Sequence, residues 1–127
     1  MKYSQIKSLS KQLNTPPSQI NLDDWLIMTE QESIDYITDQ VKETCCYFTC
    51  SFLSSMTDFP ETVFRSLNEN DDSETCLKII EKTCGLDHFV SKAIESDSMG
   101  HFISSYDGGM TELYDNNEEC RYAYRIN

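Results

Sequence analysis

Apolar residues recur at helical spacing from the start of the chain. Tyr3, Ile6, Leu9 and Leu13 share one side of a helix, with Lys7 and Lys11 on the other. Asn14-Thr15-Pro16-Pro17 ends it, because proline restricts its predecessor and cannot continue the ladder. Residues 22–28 read as a short helix, capped by Asn21 and with Asp23 and Asp24 in its first turn, where carboxylates suit the helix dipole. Thr29 followed three residues later by Glu32 fits a capping box, and opens the longest expected helix, 30–53. Ile34, Ile37, Val41, Cys45 and Phe48 form its buried face. Glu32, Asp35, Asp39 and Glu43 lie on the opposite side.

Further helices are expected from Asp58 and Pro60 to about Leu67, from Ser73 to Cys84 with Gly85 as the stop, and from Asp87 to about residue 97. The pattern then changes. Residues 101–106 are short and aromatic, Asp107-Gly108 is a hairpin signal, 110–114 form a second run, and 115–119 a polar turn. In the last run Arg121, Ala123 and Arg125 alternate with Tyr122, Tyr124 and Ile126. The expected fold class is therefore α+β, one domain over 1–127. Four to five helices in residues 1–100 form a layer, packed on a three-stranded antiparallel meander in 101–127.

Charge is the strongest compositional signal. There are 22 acids against 10 bases, for a net −12. Residues 1–22 carry Lys2, Lys7 and Lys11 without an acid, so every acid lies in the remaining 105 residues. A field of that sign disfavours direct binding to DNA, RNA or anionic lipid, and favours a protein partner with a basic surface. No stretch approaches the roughly 18 uncharged apolar residues of a membrane span, and no export signal is visible. A cytoplasmic protein with reduced cysteines is the resulting expectation.

The run Tyr106-Asp107-Gly108, followed by Tyr122-Ala123-Tyr124-Arg125-Ile126-Asn127, resembles the ending of small uncharacterised acidic proteins of bacterial viruses. The segment Leu22-Asp23-Asp24-Trp25-Leu26 is similar to theirs as well. The resemblance covers less than a third of the chain and brings no catalytic residue with it. It implies a phage protein of the kind that binds and disables host machinery, as in evasion of host defence.

Catalytic and metal chemistry find little support in the spacing. Cys46 and Cys50 are four apart, as are Cys84 and His88, but no cysteine pair has the two-residue spacing of a zinc knuckle. Cys84 with His88 is the one local thiol–imidazole pair, and no phosphate loop, serine elbow or His-Glu-x-x-His accompanies it. No catalytic residue, metal or cofactor is therefore assigned. The ridge Glu32, Asp35, Asp39 and Glu43 is the candidate partner-binding surface, since its carboxylates recur at about 5–6 Å, close to the spacing in a phosphate backbone. The expected function is a non-enzymatic inhibitor that acts as a nucleic-acid mimic on a host enzyme or defence complex. The alternatives are a homo-oligomeric adaptor using its terminal aromatic strand, and a small thiol-dependent enzyme.

Overall fold

Four apolar residues in a row, Trp25 to Met28, form a strand where a helix is expected. The computed structural model describes residues 2–114 and 120–127. The polar turn expected at 115–119 lies outside the described residues, as does the side chain of Tyr3. Only Leu22–Asp24 coil, as a single 3₁₀ turn with the Asn21 side chain accepting the Asp23 N–H at 3.0 Å. Strand β1 (Trp25–Met28) follows at once. A short apolar run has no period of its own, so its partner decides its state. That partner is the terminal strand.

The sheet is three-stranded and antiparallel, in the order β1, β3 (Cys120–Arg125), β2 (Thr111–Tyr114). Trp25 faces Arg125 and Ile27 faces Ala123 on one side; Thr111 faces Ala123 and Leu113 faces Arg121 on the other. The α+β class thus holds, with seven α-helices among the described residues instead of four or five. The sheet, however, is not a meander confined to 101–127. Residues expected as its first strand instead form a helix, α7 (Met99–Ile103), entered through Ser98, whose hydroxyl accepts the His101 N–H at 3.4 Å. Asp107-Gly108 is a loop between α7 and β2, not a hairpin turn.

The chain parts into two compact units, Met1–Asp35 with Asp97–Asn127, and Tyr36–Ser96. In the first, helix α1 (Lys2–Leu13) lays Leu9 against Leu113 and Ala123, with Ile20, Leu22, Trp25 and Ile27 around them. Alternation along β3 sends Tyr124 to the other sheet face. There it is fully buried, and its hydroxyl donates to Ser33 Oγ at 2.9 Å, which donates in turn to the Thr29 carbonyl at 2.9 Å.

Helix α2 (Glu30–Thr44) begins with the expected capping box. The Thr29 N–H donates to Glu32 Oε1 at 3.0 Å, and the Glu32 N–H to Thr29 Oγ1 at 3.1 Å. This holds the Glu32 carboxyl below its ordinary 4.5, first through the backbone N–H of Thr29 and then through its hydroxyl. A depressed folded-state value means that the stability it contributes is present above about pH 4.5 and is lost as pH falls through the folded value. E32Q keeps the capping oxygen but cannot titrate. Urea midpoints measured between about pH 3 and pH 6 are expected to fall less steeply in E32Q than in the native protein, with Asp72 and Asp107, both also lowered, supplying the remaining slope.

In the second unit α2 stops nine residues short of the expected end at 53. Cys45–Tyr47 tighten into a 3₁₀ turn, Phe48 is extended, and Thr49 caps a new helix, α3 (Cys50–Thr57), by accepting the Phe52 N–H at 3.3 Å. A hydroxyl acceptor inside a run of weak helix formers offers the backbone an alternative to continuing. Helices α4 (Glu61–Glu69), α5 (Ser73–Lys82) and α6 (Leu86–Asp97) complete the unit. Helix α5 begins at Ser73 as expected, and Asp72 caps it by accepting the Thr75 N–H at 2.9 Å. Gly85 takes φ +87° and its N–H closes on the Ile80 carbonyl at 2.8 Å, the expected stop. Asp87 sits in the first turn of α6, not at its cap. Among the described residues no helix is long and apolar enough to cross a membrane.

Candidate functional site

Glu32, Asp35, Asp39 and Glu43 are all exposed along α2. At about 100° per residue they fall within about 80° of arc. Ile37 and Val41, of opposite phase, are buried. Ile34 and Phe48 are half-buried, short of the full burial their phase predicts, and Phe48 lies beyond the helix.

The four acids are not equivalent. Glu32 is engaged in the cap, Asp35 accepts from the Gln31 amide at 2.9 Å, and Asp39 meets Lys42 at 3.7 Å, with the Asp39 side chain mostly and the Lys42 side chain about half in solvent. Such an exposed pair contributes little and neutralises little. Glu43 has no partner among the described residues. Like charges at Asp35, Asp39 and Glu43, four residues apart, cost the helix a few tenths of a kcal/mol per pair, in the range of about 0.2–0.5.

The cysteines are free. In the second unit the Cys45 thiol donates to the Ser73 carbonyl at 3.4 Å and the Ser73 hydroxyl to Cys46 Sγ at 3.0 Å, while the Cys46 carbonyl accepts from the Asn68 amide at 3.1 Å. A hydrogen bond to Cys45 and then burial push the Cys76 thiol far up. A thiol so placed is a packed core group, the opposite of an activated nucleophile. Cys84 lies 3.9 Å from the Ile80 carbonyl and makes no hydrogen bond to His88, which is exposed. Among the described residues no group of three His, Cys, Asp or Glu stands in position to hold a metal.

The terminal strand offers no edge. β3 is the central strand, paired on both sides, so any edge-to-edge contact would fall to β1 or β2. What β3 does provide is a side-chain cluster that spacing alone does not announce. Arg125 lies with its guanidinium carbon 4.1 Å from the Tyr106 ring centre and 6.0 Å from that of Trp25. Ser104 Oγ stands 2.7 Å from the Arg125 carbonyl oxygen and 3.0 Å from Asp107 Oδ1, so its one hydrogen serves one of them at a time. Asp107 Oδ1 also accepts the Gly109 N–H at 2.9 Å; this bond first, then the Ser104 hydroxyl, lowers its carboxyl. Nearby, the Ile126 N–H donates to the Asp24 carbonyl at 2.8 Å and the Asn127 amide to Asp24 Oδ1 at 3.2 Å. The three segments that carry the resemblance thus meet in one place.

No family model, no curated protein and no solved structure matches this chain.

Proposed function

We propose that the protein is a non-enzymatic, acidic binding protein of a bacterial virus, and that the α2 ridge occupies the basic, nucleic-acid-binding surface of a host enzyme or defence complex. The observation that carries this reading is the row of solvent-exposed carboxylates on one helix face, of which Asp39 is paired to Lys42. A helix face that served only solubility has no need to line up like charges at a cost in helix stability. A row of this spacing presents a basic groove with charges where phosphates would lie. The net charge of −12 adds long-range attraction to such a partner.

The test is charge reversal. Asp35→Lys combined with Asp39→Lys changes two exposed residues and is expected to shift stability by no more than about 0.5 kcal/mol per site. Native protein is expected to capture a nucleic-acid enzyme from host lysate, to release it as salt rises from about 0.05 to 0.5 M, and to lose it to competing duplex DNA. The double variant is expected to capture none. Capture that survives the reversal, or that ignores both salt and DNA, refutes the ridge as the binding surface.

A further inference from the structure

Within the first unit a cavity of about 240 Å³ opens where α1 ends. Leu13 is the last residue of that helix, and Asn14 turns the chain away with φ +52°. The sheet face that α1 covers at Leu113 and Ala123 therefore continues uncovered toward Trp25, Arg125 and Thr111, and the 107–110 loop forms the facing wall.

Two charges of opposite sign line this cavity, and each has unused bonding capacity. Arg125 spends only Nε–H, on the Asn127 carbonyl at 3.1 Å, and its two terminal nitrogens donate to no described group. Its guanidinium carbon lies 4.1 Å from the Tyr106 ring centre, a contact that orients the fork. Asp107 spends Oδ1 on the Gly109 N–H and the Ser104 hydroxyl, while Oδ2 accepts from no described group. The two side chains form no ion pair with each other. Between them stand Trp25, Leu13 and Met110, with Thr15 and Thr111 beside them.

We propose that this cavity binds a free α-amino acid with an aliphatic or thioether side chain: its carboxylate on the Arg125 fork, its ammonium on Asp107 Oδ2, and its side chain against Trp25 and Met110. Charge selects the class. A ligand that is only an anion faces the Asp107 carboxylate unpaired, and one that is only a cation faces Arg125; a zwitterion satisfies both. Size agrees, because the volume falls below the roughly 300–1,000 Å³ of sites for drug-sized molecules. The site uses none of the α2 acids, so its test is independent of the proposed function.

Trp25 is the only tryptophan of the chain and lines the cavity, so its fluorescence reports entry directly. Titration with L-leucine and with L-methionine is expected to give a saturable change with Kd at or below about 1 mM. The carboxylate-only analogue 4-methylpentanoate and the amine-only analogue 3-methylbutylamine are each expected to bind at least about tenfold more weakly, because each makes only one of the two charge contacts. D107N and R125K are expected to lose leucine binding by a similar factor while keeping the native circular-dichroism spectrum. Should either variant fail to fold, the two analogues on native protein still decide. The absence of a saturable change up to about 20 mM, about twentyfold above that limit, overturns the proposal, as does equal binding by either analogue or native affinity in both variants.

Discussion

Gly100→Ala is expected to destabilise the first unit by about 3 kcal/mol. A Cβ built on Gly100 meets Gly108 O at 2.6 Å and the Gly109 carbonyl carbon and oxygen at 2.7 Å. All three are backbone atoms, so no side chain can rotate away. Either α7 or the 107–110 loop must move, and that loop carries the Asp107 bonds to Ser104 and Gly109. Urea unfolding followed by Trp25 fluorescence gives the measurement. Gly85→Ala is the matching comparison: its Cβ meets nothing within 4 Å, so only the positive φ is penalised, at about 1–2 kcal/mol. If both alanines cost the same, the close approach of α7 to the loop is wrong.

In the second unit the largest loss is expected from Phe89→Ala, about 3–5 kcal/mol. Phe89 is fully buried, and its ring meets Phe48 at 5.1 Å and 66° and Phe52 at 5.3 Å and 64°, both edge-to-face. Phe48 and Phe52 stack at 5.8 Å. Truncating the shared member removes both edge contacts, each worth about 0.5–1.5 kcal/mol beyond burial, and leaves a cavity between two rings that cannot easily close it. Phe89→Leu fills most of that volume and is expected to cost less than half as much. Equal losses for alanine and leucine, read from thermal and urea unfolding, would show that ring geometry rather than volume holds this core together.

Much of the helical part was legible in the sequence because caps act locally. Thr29 with Glu32, and Gly85, declare themselves within four residues of where they act, and the structure uses them as read. The errors have different causes. Trp25 to Met28 becomes a strand because of residues near position 125, and no local pattern contains that partner. The expected strand at 101–106 is a helix up to Ile103 because Ser98 caps it and Gly100 lets it lie against the loop. The break at Phe48 was readable in principle, through Thr49, but the apolar spacing of the longer helix outweighed one hydroxyl. Of the candidate sites, the α2 ridge follows from phase alone. The Arg125, Asp107 and Trp25 cluster joins residues from three distant segments, so periodicity could not assemble it.

The place of β3 in the middle of the sheet has a consequence for the newborn chain. As the protein leaves the ribosome, Tyr36–Ser96 is complete and contiguous well before residues 120–125 exist. Its helices make mostly local contacts, the kind that form fastest. β1 has been waiting since residue 28, because its hydrogen-bonded neighbour among the described strands is β3. Until then Trp25, Leu26, Ile27 and Met28 form an apolar segment with an unfilled edge, the sort of sequence to which holdase chaperones bind. The sheet of the first unit therefore cannot close until β3 has been made.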